Sequence, residues 1–173
     1  MIVCLFGPSC VGKTTLAQRA AVALGLPLRS CGEAVRAAAT AHGLTINDLP
    51  DEQHREVDAG TVVWAMGNKS CIVEGRYLDR VFADSRTPVT LILIRASDAC
   101  RVSRAKGRSG NTTFSADDLR RLDDEDNAFR ERLFGDRVAA MPWQVLDTSG
   151  LTVDECARQL RELIELALCQ PPG

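Results

Sequence analysis

The sequence predicts an α/β fold, a doubly wound parallel sheet of five strands flanked by helices. Three observations carry that expectation. Apolar runs alternate with helix-forming segments, most runs are hydrophobic at nearly every position, and the first leads straight into a glycine-bearing loop ahead of a helix. The 173 residues, 45% of them hydrophobic, suffice for one core of ordinary size, so residues 1–173 are expected to form a single domain.

Ile2-Val3-Cys4-Leu5-Phe6 is the first strand. Residues 15–24 are helix formers throughout, and Gly25 is a stop signal. Pro27-Leu28-Arg29-Ser30 is a short second strand. Helices are expected at 32–42 and 51–66, a third strand at Cys71-Ile72-Val73-Glu74, a short helix at 77–83 and a fourth strand over residues 89–94. Helices at 97–106 and 115–133, a last strand at Trp143-Gln144-Val145-Leu146-Asp147 and a helix at 152–168 complete the series. Ser115 with Asp118 and Thr152 with Glu155 have the spacing of capping boxes.

Between the first strand and the first helix, Gly7-Pro8-Ser9-Cys10-Val11-Gly12-Lys13-Thr14 spells G-x-x-x-x-G-K-[ST] in its required context. Gly7 and Gly12 allow positive φ, so that successive N–H groups converge on an anion at the positive end of the helix. Lys13 would reach the β- and γ-phosphates of ATP and Thr14 would ligate Mg²⁺, with Pro8, Ser9, Cys10, Val11 and Thr15 completing the nucleotide-binding contour. Cys10 reads as a small spacer.

Lysine and arginine total 21 against 23 aspartate and glutamate, a net charge of −2, which argues against general nucleic-acid or membrane-surface binding. The first strand begins at Ile2, leaving no room for a secretory signal, and no apolar run approaches bilayer length, so the expected compartment is the cytoplasm. Seven cysteines without C-x-x-C pairs read as reduced thiols. Asn68-Lys69-Ser70-Cys71 lacks the aspartate of the guanine-reading motif, and the transporter ATPase signature is absent. Arg101, Arg104 and Arg108 fall at i, i+3, i+7 beside a polar, glycine-containing stretch, the pattern of a mobile lid over residues 104–114.

Three more segments extend the pattern: Ser30-Cys31-Gly32-Glu33-Ala34-Val35-Arg36 after the second strand, Val73-Glu74-Gly75-Arg76 ending the third, and Asp147-Thr148-Ser149 after the last. With the phosphate loop and the arginine-bearing helix, they resemble the nucleoside monophosphate kinases, most closely the short cytidylate kinases of the archaeal type. The resemblance implies an acceptor-binding segment over residues 30–66 and phosphoryl transfer from ATP to CMP or dCMP. It further implies that Ser30, Gly32, Glu33, Arg36, Asp58, Gly75 and Arg76 hold the acceptor, with Arg36 and Arg76 as phosphate clamps. Thr148 and Ser149 would line the adenine, and Lys13, Arg76, Arg104 and Arg108 would act on the transferring group. The family's Arg-Tyr pair before a Tyr-Gly is not matched: the chain reads Asn127-Ala128-Phe129-Arg130-Glu131-Arg132-Leu133-Phe134-Gly135.

The residues alone leave the acceptor open. A hydroxyl acceptor would need a carboxylate base, for which Glu33, then Asp58 and Glu74, are candidates, although Glu33 reads equally as a helix-start acid. A slowly hydrolysing switch protein is a third reading. Asp123, Asp124, Glu125 and Asp126 read as a solvated face on which Asp123 could position a lid arginine. His42 reads as a helix end, His54 as exposed, Trp64 and Met66 as packing, and Tyr77 as either packing or a stacking platform.

Overall fold

The computed structural model describes residues 1–84, 88–109, 112–136 and 142–169. The strands are β1 (Ile2–Phe6), β2 (Leu28–Ser30), β3 (Cys71–Glu74), β4 (Val89–Arg95) and β5 (Trp143–Asp147). The helices are α1 (Lys13–Leu24), α2 (Cys31–Ala41), α3 (Asp51–Met66), α4 (Leu78–Val81), α5 (Asp98–Ser109), α6 (Ala116–Phe134) and α7 (Val153–Cys169). The strands form one sheet in the order β2-β3-β1-β4-β5, parallel at every pairing.

The continuous apolar runs follow from burial on both faces. Val3, Leu5, Ile72, Ile92 and Ile94 pack under Leu16, Ala17 and Ala20 of α1 and Leu160 and Ile164 of α7. Ile2, Cys4, Phe6, Cys71, Val73 and Leu91 pack on the other face against Ala65, Leu78 and Phe82. Each fully buried aliphatic side chain contributes roughly 1.5–3 kcal/mol, so neither face tolerates a polar interruption without a functional return. Glu74, buried at 3% exposure and in register with Leu5, is such an interruption.

Local signals set the helix ends. Gly25 takes φ 62 and its N–H closes α1 on the carbonyls of Ala21 and Val22. Ser30 caps α2 by accepting from the Glu33 N–H, and the two capping boxes form, Ser115 with Asp118 and Thr152 with Glu155. All seven cysteines are free. No helix among the described residues is long and apolar enough to cross a membrane.

Several boundaries differ from the sequence reading. The first helix starts at Lys13 rather than residue 15, because the last two motif residues form its first turn. Pro27 stands outside β2; lacking an N–H to donate, it contributes only its carbonyl, which accepts from Ile72 N–H at 2.9 Å. A 3₁₀ turn at Ile46–Asp48, unforeseen, is braced by Thr45 Oγ1 donating to Asp48 Oδ2 at 2.6 Å. Of the lid segment 104–114, residues 104–109 are helical and 110–111 lie outside the described residues.

His54 is buried at 7% exposure rather than exposed, its ring edge-on to Phe129 with centroids 4.8 Å apart, because α6 lies across the start of α3. Burial pulls its pKa below the usual histidine range. Met66 is 58% exposed and does not pack, whereas Trp64 covers the core beside Arg29.

Candidate active site

Parallel β1 and β3 end side by side, so the loops after Phe6 and Glu74 meet at one edge of the sheet, where ligands of this architecture bind. Gly7 has φ 137, and a Cβ there would sit 2.2 Å from the Ile94 carbonyl oxygen. Only glycine fits. Gly12 has φ 96, and Cys10, less expectedly, φ 65. Left-handed residues at these positions turn the loop's N–H groups inward, the geometry of an anion nest at the start of α1.

Lys13 Nζ donates to the Pro8 carbonyl at 2.7 Å, and burial lowers its pKa to about 8 against the opposing pull of Glu74. Thr14 Oγ1 donates to Glu74 Oε1 at 3.2 Å, and Ser30 Oγ donates to the same carboxylate oxygen. Glu74 thereby ties the phosphate loop to the cap of α2. The hydroxyl and carboxylate are hard oxygen donors that suit Mg²⁺, an ion that keeps most of its ligands as water and substrate phosphate. Among the described residues no group of three His, Cys, Asp or Glu could hold a metal ion.

The three arginines of α5 separate in role. Arg101 is buried at 4% exposure: Nε donates to the Ser9 carbonyl at 2.9 Å, while Nη1 and Nη2 grip Asp123 at 2.8 and 2.5 Å, so Asp123 does position an arginine of this helix. Arg104 donates to the Val11 carbonyl at 3.0 Å and to Thr148 Oγ1 and O at 2.8 and 2.9 Å. Its guanidinium thus braces the phosphate loop from within the cleft that it also lines. Arg108 lies at the rim, Nη2 3.7 Å from Cys10 Sγ.

Thr148 and Ser149 are likewise occupied by protein partners. Thr148 is buried at 1% and bonded to the Arg95 carbonyl through N–H at 2.8 Å and Oγ1 at 3.0 Å; Ser149 Oγ accepts from Ser97 N–H at 2.7 Å. These side chains lock the loop after β5. Ser9, Thr15, Gly32, Arg36, Gly75, Arg76, Arg104, Arg108 and Thr148 line one open cleft of about 850 Å³ with the phosphate loop and Glu74.

On the acceptor side Glu33 is exposed in the first turn of α2, as a helix-start acid would be. A Cβ on Gly75 would press on Cys31 at 3.1–3.2 Å, so glycine lets β3 and α2 approach closely. Asp58 is half-buried on α3, without a hydrogen-bond or ion-pair partner among the described residues, and burial raises its pKa to about 7. The sign follows from the folded value standing above the ordinary 3.8: the carboxyl's contribution is fully present below 3.8 and lost as pH rises through 7. Asp58→Asn should therefore raise the melting temperature at pH 8 by about 3 °C, roughly 1 kcal/mol, and change little at pH 4. Equal shifts at both pH values in calorimetry would contradict an uncompensated charge.

The acidic run of α6 is not a solvated face. Asp123 holds Arg101, and Asp126 pairs with Arg76 Nη1 and accepts from Ser9 Oγ and Tyr77 Oη at 3.3 Å each. Only Asp124 and Glu125 of the run are exposed. Tyr77 stacks on Phe129 at 5.7 Å, which resolves it as packing; burial raises its pKa to about 12. The sequence reading missed Asp126 although a signal existed. Leu119, Leu122, Asp126, Phe129 and Leu133 recur at three- and four-residue spacing, so Asp126 interrupts an inward apolar stripe. Arg130 acts electrostatically on Asp79.

A family model described as AAA domain matches residues 3–127. No curated protein sequence matches the chain. Among solved structures, the chain is similar to a shikimate kinase from Acinetobacter baumannii in complex with shikimate, with 14% identity, TM-score 0.62, and 98% of this chain and 95% of that one covered. A gluconokinase from Sinorhizobium meliloti 1021 has 14% identity, TM-score 0.60 and 95% coverage of both chains. The YorR protein from Bacillus subtilis, in complex with phosphorylated GDP, has 15% identity and TM-score 0.62 over 99% of this chain and 100% of that one. At such identities the likeness is one of fold, that of the P-loop kinases.

Proposed function

The chain belongs to the AAA domain family, and from that membership and the geometry of the cleft we propose that it is an ATP-dependent kinase of a small anionic metabolite. The observation that carries this reading is the convergence, in one cleft, of the phosphate loop, Lys13 and Glu74 with Arg36 and Arg76. A hydrolytic switch needs the first group alone; two arginines opposite the loop suit a second anion.

The γ-phosphoryl leaves the β-phosphate oxygen for an acceptor oxygen through a loose transition state, so positioning and charge neutralisation do most of the catalysis. The inward N–H groups of Gly7 and residues 9–12 hold the β-phosphate, Pro8 having none to donate, and Lys13 follows the moving γ-oxygens. Mg²⁺ on Thr14, oriented by Glu74, would neutralise charge between the two phosphates. Arg36 and Arg76 hold the acceptor against its repulsion from ATP. Arg108 closes the rim, and Arg104 acts through the loop it supports. We assign acceptor binding to residues 30–66 and phosphate covering to 104–114 of one domain spanning 1–173.

For the acceptor, the resemblance in sequence favours a nucleoside monophosphate, CMP or dCMP. Its phosphate, with a second pKa of about 6, is already largely ionised at neutral pH and requires no base. A second reading, a hydroxyl acceptor, is supported by the names of the shikimate kinase and gluconokinase that share the fold; its candidate base is Asp58, raised by burial to about 7 but outside the residues that line the cleft.

ADP release from Mg-ATP across CMP, dCMP, UMP, AMP, GMP and dTMP, run beside nucleosides, shikimate and gluconate with mass spectrometry of products, tests both. A diphosphate product, with Asp58→Asn within tenfold of the parent, supports the first reading. A phosphorylated hydroxyl with Asp58→Asn slower by about 10²–10⁴-fold supports the second. ATP turnover without any phosphorylated product counts against both.

A further inference from the structure

Asp126 is the residue in this site that neither the sequence pattern nor the proposed chemistry calls for. Its two carboxylate oxygens bind two residues that line the cleft. Oδ2 accepts from Ser9 Oγ of the phosphate loop at 3.3 Å, whereas Oδ1 takes the Arg76 guanidinium and the Tyr77 hydroxyl. Electrostatically it reaches Lys13 as well, opposing the Arg76 charge there. An oxyanion receiving a phosphoryl group must lie between the loop that holds the donor and the arginine that holds the acceptor. The Asp126 carboxylate spans those two partners.

The setting has the features of a latch rather than of a fixed buttress. The Asp126 side chain is 16% exposed and that of Arg76 46%, so the pair is half open to water and exchangeable. The helix that carries Asp126 is seated by side chains at separate points: Arg101 on Asp123, the stacked Tyr77 and Phe129, and Arg132 on Asp51 at 3.1–3.2 Å. A bound acceptor anion at Arg76 and a carboxylate at the same guanidinium exclude one another by like charge at hydrogen-bond distance.

We propose that Asp126 is an internal stand-in for the acceptor's oxyanion, pairing Arg76 and Ser9 and yielding Arg76 when a phosphate- or carboxylate-bearing acceptor arrives. Acceptor recognition is thus an anion exchange on Arg76, and the release of Asp126 loosens α6 from the phosphate loop. This rests on the kinase reading only in calling the incoming anion an acceptor.

The test uses inorganic phosphate as the probe, with Mg-ADP saturating the phosphate loop, and measures phosphate affinity by calorimetry. Asp126→Asn removes the competing charge and should tighten phosphate binding about tenfold, the scale of one half-exposed charge-assisted pair. Asp126→Glu, which keeps the charge, should restore the parental affinity. In an Arg76→Gln background the gain from Asp126→Asn should shrink to less than twofold, which separates release of Arg76 from a general loss of negative charge. Hydrogen exchange of the unmutated protein should show α6 amides losing protection on phosphate addition.

Phosphate affinity that is equal or weaker in Asp126→Asn, or a gain that survives Arg76→Gln, overturns the latch. So does unchanged exchange in α6, a result that does not depend on any variant folding. Because no turnover is measured, a silent kinase assay beside a tenfold gain removes the proposed reaction and leaves the latch. Turnover beside an unmoved affinity does the reverse.

Discussion

Replacing Lys13 by methionine is expected to lower the turnover of phosphoryl transfer by about 10²–10³-fold, the scale of losing one transition-state donor, while leaving the protein folded. The physical cause of the second half is burial. Lys13 has its pKa lowered to about 8 from 10.5, so the folded state binds its proton less tightly than the unfolded chain. For a depressed value the contribution to stability is fully present above 10.5 and lost as pH falls through 8. At pH 7 the parent therefore carries the cost of a buried charge that methionine does not. Loss of the bond to the Pro8 carbonyl offsets part of the difference.

The variant should consequently melt about 2–4 °C higher at pH 7, near 1 kcal/mol, with the gap closing toward pH 10. Thermal scans at the two pH values check this, and steady-state rates with whichever acceptor the product assay finds check the loss of turnover. A variant within tenfold of the parental rate would remove Lys13 from the transferring group.

Replacing Arg101 by methionine is expected to be the most damaging change to stability among the site's arginines. Arg101 is buried, binds Asp123 through two nitrogens and holds the Ser9 carbonyl through a third. The Asp123 hydrogen bonds, against the opposing cost of burial, push the guanidinium's pKa above its ordinary value. Breaking a buried pair costs about 3–5 kcal/mol when the survivor stays buried; the Asp123 side chain is 32% exposed, which brings the expectation to about 2–3 kcal/mol. Denaturant melts should show that loss, with the midpoint falling by roughly 4–12 °C in thermal scans. Because Ser9 also loses its anchor, Mg-ATP affinity should weaken in parallel. Adding Asp123→Leu should recover part of the stability and none of the nucleotide affinity. A midpoint within 1 °C of the parent would mean that α5 and α6 are joined by other means.

The contrast between Arg101 and Arg108 shows where sequence reading stops. All three arginines of α5 occupy one helical stripe, and spacing alone assigns them one role. What divides them is distance from the end of the loop they approach. Arg101 meets the Ser9 carbonyl and Asp123, Arg104 the Val11 carbonyl and Thr148, and Arg108 the Cys10 thiol at 3.7 Å. Thr148 and Ser149 hold the loop after β5 by the same kind of distant pairing, since their partners Arg95 and Ser97 come from β4 and the turn after it.

By itself the sequence determined the order of strands and helices, the parallel sheet buried on both faces, the caps of α6 and α7, and the phosphate loop with Lys13 and Thr14. Each of these is written in neighbouring residues, as a period, a cap or a glycine whose backbone no other residue can adopt. Only the tertiary structure decided that His54 is buried, that Glu74 joins Thr14 to Ser30, and that Asp126 faces the phosphate loop. Those pairings cross 44 to 117 positions of chain. The apolar stripe of α6 marks Asp126 as facing inward, but no local pattern names its partner at that separation; the packing of α6 across α3 supplies the answer.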